Sequence, residues 1–512
     1  YLRRNLDGQL SVEHMSSDKV YAKQLLEEGE EDSASRRWSL DWSHQGSLPG
    51  GINYGWDIAR VSDEYYLRDF SANLIDSGGT ELESIAFAER STSNHYWRTE
   101  AQHWQNLRPE SRPEPYRHWP AVTYEHTPGP LPGGLEYRTE AQAIQFELPQ
   151  EAKEADNPDR PTGQRYHINP RLSWPLQSTA FFVEPAVSLH HTRYDLVNHI
   201  PEGNAGGKMG GKIERTVPIA SLDAGMFLER PFSLGQRNFL QTLEPRIFYL
   251  YAPHEQQEHL PIFDTGKPPN TVAQLFQENR FSGIDRIGDA NQMTTAITSR
   301  FRDIDTGAEP FRASIGQIIY FEDRQVTLAE KPDPKELSRS RSDIFADAPV
   351  NLADNLNFRA EHRYDPHLDE PVATTFTTDL QYHPAPRTAL NLSYRIRKEV
   401  TGREADDEPI FEMTQDYIEA SGSLPIDVNW TVIGGWQYSR LERQNLEVAG
   451  GVEYRSCCWA IRGVGRRLRR GAAAELENTV MVELELTGLT RFSDDTESFI
   501  KDLVRGYEGA RF

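Results

Sequence analysis

Two adjacent cysteines, Cys457 and Cys458 in the stretch Tyr454-Arg455-Ser456-Cys457-Cys458-Trp459, are the only cysteines among 512 residues. Neighbours in sequence make poor disulfide partners, because the bond wants a torsion of roughly 90° that a strained vicinal ring reaches badly. Each sulfur therefore needs a partner elsewhere, and this sequence holds none. Either the pair is reduced, or it bonds to cysteines on a segment or subunit outside this sequence. The second case would place the protein in an oxidising compartment such as the periplasm or the cell surface. A third reading treats both as small buried hydrophobes.

Other candidates for chemistry are weaker. His190-His191 suggests a metal pair, but adjacent residues of a strand point to opposite faces, so shared ligation is not expected. The basic run Arg462, Arg466, Arg467, Arg469 and Arg470 could meet lipid phosphates; pairing with Glu447 and Glu453 on the preceding strand is the expected use. Gly206-Gly207 and Gly210-Gly211 lack the lysine and hydroxyl spacing of a phosphate loop and read as a turn. Acidic loops could hold divalent cations, yet a charge run is ordinarily just solvated. No set of nucleophile, base and orienting group is present, so the chain is not expected to be an enzyme, nor to need a cofactor or metal.

The elements that carry these residues are strands. From Ile426 the even positions run Ile426, Val428, Trp430, Val432, Gly434, Trp436, Tyr438, while the odd ones run Asp427, Asn429, Thr431, Ile433, Gly435, Gln437, Ser439. The same split recurs at Leu390, Leu392, Tyr394, Ile396 against Asn391, Ser393, Arg395, Arg397, and at Leu356, Phe358, Ala360, Tyr364 against Asn357, Arg359, Glu361, Arg363. Near the end Val482, Leu484 and Leu486 alternate with Glu483, Glu485 and Thr487. Period-two patterning means strands. Several runs reach the roughly 9 to 11 residues of a tilted transmembrane strand, longer than the strands usual in soluble sheets. Trp430, Trp436 and Tyr438 sit toward the ends of such a run, where interface girdles need aromatics.

Composition narrows the class. With 78 acidic against 55 basic residues the formal charge is -23, which argues against a nucleic-acid binder. No stretch approaches a membrane helix, and the mean hydropathy of -0.67 would ordinarily mean a soluble protein. A membrane β-barrel escapes that test, because only every second residue faces lipid. The polar face carries charges far along each strand, as in Arg359, Glu361 and Arg363, which a water-filled lumen tolerates. Hydrophilic insertions at Leu25 to Arg37, Pro149 to Arg165, Lys331 to Asp343 and Val400 to Glu412 read as surface loops of unequal length. No fixed-period repeat appears, against a solenoid or propeller. At about 20 residues per strand and connection, the expectation is an all-β, large transmembrane antiparallel β-barrel of about two dozen strands. Residues 1–512 are then one barrel domain. The chain opens at Tyr1 without an initiator Met or a signal pattern, so it is expected to be a fragment whose export signal was cleaved or never present.

Taken together, the residues resemble the LptD (OstA, Imp) family of lipopolysaccharide-assembly proteins of the Gram-negative outer membrane. Tyr454 to Arg462 is similar to that family's cysteine-pair signature. Ser17-Asp18-Lys19-Val20-Tyr21, Ser35-Arg36-Arg37-Trp38, Thr242-Leu243-Glu244-Pro245-Arg246 with Tyr249-Leu250-Tyr251, Gly283-Ile284-Asp285-Arg286-Ile287 through Ala290-Asn291-Gln292, Thr298-Ser299-Arg300, and Glu485-Leu486-Thr487-Gly488-Leu489 stand in the family's order.

The resemblance implies several things. Family members carry a first barrel strand and an N-terminal periplasmic β-jellyroll with its own cysteines, both missing here, and a further hairpin after Met15. It implies an integral outer-membrane translocon that receives lipopolysaccharide from a periplasmic bridge and inserts it into the outer leaflet. The saccharide would pass through the polar lumen while the acyl chains leave through a weakly bonded seam, a lateral gate. Strand residues Val482, Leu484 and Leu486 would form one lip of that gate. Disulfides from Cys457 and Cys458 would tie the turn to the jellyroll. The implied partners are the lipoprotein LptE as a plug in the lumen, the LptA bridge, lipopolysaccharide, the outer membrane and the barrel-assembly machinery, with no nucleic acid. Alternatives are a general outer-membrane porin or receptor-type transporter, which has no reason for a cysteine doublet, and a secreted β-rich polysaccharide-active enzyme.

Overall fold

The computed structural model describes residues 2–3, 6–19, 21–23, 36–70, 81–107, 114–149, 160–197, 211–268, 271–328, 334–353, 355–366, 373–403, 409–469, 476–486, 490–492 and 495–508. They form one antiparallel sheet of 26 strands, of which Leu2–Arg3, Leu176–Gln177 and Thr490–Phe492 are only two or three residues long. The order is an up-and-down meander, each long strand pairing with the next, from Leu6–Met15 against Arg37–Leu48 to Trp459–Leu468 against Glu477–Leu486. Met15 stands opposite Arg37, so these two strands are direct neighbours. No described helix is long and apolar enough to cross a membrane.

The wall is inside out by the standard of a soluble protein. Val187 and Val480, both within strands, are 55% and 80% exposed, whereas Arg165 and Arg462 are almost wholly buried. Large apolar side chains stay exposed only where the surrounding solvent is itself apolar, and charges sink only where they are paired. The strand Trp430–Ser439 makes this concrete: Trp430, Val432 and Trp436 face out, while Thr431, Ile433 and Gly435 are buried on the inner face. The expected split of even from odd residues is therefore the split of lipid face from lumen. Outer-face aromatics sit toward both ends of this region. Trp430, Tyr454 and Trp459 pack with ring centroids 5.0 and 5.1 Å apart at one end, and Trp436 stacks on Tyr438 at 5.8 Å toward the other.

The two rims differ. Residues 49–51, 92–94, 426–429 and 456–458 turn the chain tightly at one rim, while the opposite rim carries the long connections 16–36, 253–289 and 321–343. Two segments leave the wall and fill space inside it. Segment 253–289 folds back onto the inner faces of the strands Thr162–Ser173, Phe181–Val197 and Gly211–Met226. The helix Asp495–Leu503 does the same near the last strands, where Phe499, Ile500 and Val504 pack on Ile433, Ala449 and Val464. Gly435 is needed for this packing, since a Cβ there would stand 2.3 Å from a methyl of Leu503.

Arg470, the Gly206-Gly207 and Gly210 turn positions, Val20, Ser35, Thr487 to Leu489, and much of the four proposed loops lie outside the described residues.

Candidate lumen, cysteine turn and terminal strand

The cysteine turn joins Gln444–Arg455 to Trp459–Leu468. The Ser456 amide donates to the Trp459 carbonyl at 2.8 Å, closing the turn and leaving Cys457 and Cys458 on its outside. Both thiols are exposed, their sulfurs 2.9 Å apart and not bonded. Burial as small hydrophobes is thereby overturned: a tight turn at a rim has no interior in which to hide them. The Cys458 thiol and the Ser456 hydroxyl donate toward Cys457, which lowers its pKa below the ordinary thiol value, while the same contact raises that of Cys458. The turn lies at the rim of short connections.

Directly behind it, on the inner face, Arg462 gathers carboxylates from three elements. Its guanidinium meets Glu453 at 2.8 Å, Glu485 at 2.7 Å and Glu483, and lies 3.9 Å from Glu497 of the helix Asp495–Leu503. The Tyr507 hydroxyl donates to Glu453, and the Glu497 amide donates to Glu483 at 2.8 Å. Arg455, Arg387 and Lys501 add positive charge around the rim of the cluster. A guanidinium with five donors in a fixed fork is the side chain suited to such a convergence. The expected pairing of the basic run with Glu453 and Glu447 holds for Arg462 and for Arg466, which meets Glu447 at 2.7 Å. Arg467 points outward to Asn478 instead.

Of the proposed gate strand, Val482, Leu484 and Leu486 alternate with the buried Glu483 and Glu485, which places them on the outer face. The strand Glu477–Leu486 is fully paired on one side only. Its other side meets just three residues, Thr490–Phe492 opposite Leu484 to Leu486, and among the described residues no ladder joins the first strands to the last.

A cavity of about 1230 Å³ opens within the lumen. Nine basic side chains line it (Arg246, Lys267, Arg300, Arg312, Arg359, Arg363, Arg395, Arg397, Arg505), against four carboxylates (Glu244, Asp347, Glu361, Asp379). Seven of the nine meet a carboxylate within 4.0 Å: Arg246 with Asp223, Lys267 with Glu336, Arg300 with Glu244, Arg312 with Asp347, Arg359 with Glu361, Arg363 with Asp343 and Arg505 with Asp379. The lining is thus charged and polar, with much of its positive charge compensated by the wall itself. Arg359, Glu361 and Arg363, read from sequence as lumenal, are among its lining.

The histidine pair behaves as its strand requires. His190 faces His167, ring centroids 5.5 Å apart, while His191 meets the Thr216 hydroxyl on the other side. The pair therefore does not act as a joint ligand set.

Sequence reasoning missed the network that seats segment 253–289. Arg165 binds Asp264 at 2.6 Å and Asp285 at 2.7 Å, Tyr194 donates to Asp285 at 3.0 Å, and Arg215 holds the carbonyls of Ile284 and Asp285. Burial raises the pKa of Asp285, but the Arg165 charge and the amides of Phe263 and Asp264 outweigh it and hold the carboxyl below the usual range. The signal was present in Gly283-Ile284-Asp285-Arg286-Ile287, a block singled out as a motif without a partner to explain it.

An up-and-down antiparallel wall with apolar residues outward, charges inward and no helical span defines a large membrane-spanning β-barrel. Comparison with known proteins agrees. A family profile described as "LPS transport system D" (LptD) matches residues 35–430. The chain is 37% identical over its whole length to the LPS-assembly protein LptD of Alkalilimnicola ehrlichii, covering 63% of that protein. It is 33% identical over 92% of its length to that of Nitrosococcus oceani, covering 60% of it, and 30% identical over 99% to that of Legionella pneumophila, covering 63%. The chain thus belongs to the LptD family, and it spans a little under two thirds of the length of these curated relatives.

Proposed function

We propose that this barrel, as part of a longer protein, inserts lipopolysaccharide into the outer leaflet of the outer membrane. A lipid with several acyl chains and a phosphorylated sugar head cannot cross as one solvated object. The charged, polar lumenal cavity suits the head, and the half-paired strand Glu477–Leu486, with Val482, Leu484 and Leu486 facing lipid, suits one lip of a lateral gate for the chains. The observation that carries the reading is the position of the cysteine turn. Short turns face the periplasm in barrels of this class, so Cys457 and Cys458 stand exposed on the periplasmic rim. There they can bond to cysteines of a periplasmic domain, the jellyroll that receives lipid from the LptA bridge. On this reading LptE fills lumen left open by the two inward segments, and the barrel-assembly machinery folds the wall.

Non-reducing peptide mapping of the full-length protein from outer membranes tests this. Disulfides from Cys457 and Cys458 to cysteines upstream of Tyr1 are expected. Replacing both with Ser should impair envelope integrity far more than either change alone. Two free thiols in the mature protein, with a wild-type double mutant, would sink the tether and with it this account of the rim.

A further inference from the structure

The gate reading makes the strand Glu477–Leu486 a moving part, and the structure gives that strand a second attachment. We propose that the C-terminal segment from Asp495 to Tyr507 is an internal latch, with Arg462 as its positioning residue, that holds the last long strand against the wall and so sets how readily the seam opens. The proposal deepens the gate reading and rests on it for its consequence, though the attachment itself stands on geometry alone.

An edge strand keeps its place by backbone bonds on one side and by its side chains. Here Glu477–Leu486 has a ten-residue ladder with Trp459–Leu468 and only three paired residues on its other side. Its outward residues Val480 and Val482 are exposed, and the outward Asn478 accepts from Arg467 of the neighbouring strand. Three of its inward residues, Met481, Glu483 and Glu485, meet the latch or Arg462. Met481 packs against the cluster of Phe499, Ile500 and Val504. Glu483 accepts the Glu497 amide in the first turn of the helix, where a carboxylate is also favoured by the helix dipole. Glu483 and Glu485 both bind Arg462, which also contacts Tyr507 at 3.4 Å. Arg462 itself belongs to the neighbouring strand, so it pins latch, last strand and wall at one point.

The opposite end of the latch is anchored away from the seam. Arg505 reaches Asp379 at 3.4 Å, and the Arg505 carbonyl accepts from Asn391 at 3.0 Å. The segment therefore braces the terminal strand against strands Ala373–Tyr382 and Ala389–Arg403, which lie well inside the wall. Swinging Glu477–Leu486 outward to widen the seam, alone or together with Trp459–Leu468, works against this brace.

Hydrogen exchange on the full-length protein in its native outer-membrane complex tests the latch. Phe499→Ala, which removes the largest buried side chain of the helix, should speed exchange of amides 479–484 about tenfold, with Phe181–Val197 unchanged. Arg462→Gln should do the same, and Arg462→Lys should restore part of the protection, since it keeps the charge but not the fork. Should Phe499→Ala fail to assemble, Tyr507→Phe loses only the hydroxyl between Glu453 and Arg462 and serves in its place. Unchanged exchange at 479–484, or equal loosening of Phe181–Val197, would overturn the latch. A photo-crosslinking residue at Val482 reports the gate separately. Lipopolysaccharide adducts there that increase in the loosened variant support both readings, whereas loosened exchange with no adducts in any variant removes the gate and leaves the latch standing.

Discussion

Replacing Arg462 with Met removes the hub of the inner cluster while keeping most of its volume. At 2.8 Å and an effective dielectric of about 20, a single Arg462 to Glu453 contact is worth at most about 6 kcal/mol before desolvation. Desolvation cancels much of that, so the measured loss is set by what is left behind: Glu483 and Glu485, both buried and facing one another without the cation they share, while Glu453 keeps Arg455 at 2.9 Å. Breaking such a pair costs about 3–5 kcal/mol. The assay is urea unfolding of the barrel refolded in liposomes, with free energies extrapolated to water. The diagnostic comparison is the triple change Arg462→Met with Glu483→Gln and Glu485→Gln, which leaves Glu453 its ion pair with Arg455. It removes the repulsion that the single change creates, and should recover more than half of the loss. A single mutant that costs under about 1 kcal/mol, or a triple mutant no more stable than the single, would refute the claim that Arg462's compensation of these buried carboxylates holds the region together.

Two further outcomes follow from packing and titration. Gly435→Ala should displace the end of the helix Asp495–Leu503 and cost about 1–3 kcal/mol, read as faster proteolytic release of the C-terminal segment; adding Leu503→Ala should relieve part of the effect, because the three nearest atoms to the added methyl all belong to that side chain. Segment 253–289 should survive mild acid. Asp285 and Asp289 are pushed up by burial but held below the usual carboxylate range by Arg165 and Arg280 and by backbone amides. Their stabilisation is therefore present above that range and lost as pH falls through their depressed values, while Asp264, pushed up by burial, gives up its share at higher pH; pepsin should therefore cleave the segment much faster at about pH 2 than at about pH 4. Equal cleavage at both would show that these ion pairs do not seat it, as would an Asp285→Asn variant as resistant as wild type.

Relations within a strand were legible in the sequence, and relations between distant segments were not. The alternation around Trp430 and around Leu356 identified strands, their length and their two faces, because a side-chain period of two is a property of the local backbone. Adjacent hairpin strands lie side by side, so the pairing of the basic run with Glu447 and Glu453 could be anticipated as a group; the structure shows Arg462 directly opposite Glu453 and Arg466 on the diagonal to Glu447. The cysteine turn was recognisable because its oddity is covalent and local. By contrast, Arg165 meets Asp285 across 120 residues of chain, and no periodicity announces that contact.

By itself, then, the sequence determined an antiparallel wall, which face of it is apolar, and the two thiols that have no partner within it. Only the tertiary structure decided what occupies the inside. Whether Asp285 or Glu497 is a solvated loop charge or a buried counter-ion depends on which inner-wall arginine it reaches once the sheet has curled. The charged lining of the lumenal cavity likewise exists only after strands far apart in sequence present their inner faces to one space. Pattern follows from the local geometry of a strand; burial and field follow from closure, which brings remote charges within a few ångströms and excludes the water that would otherwise screen them.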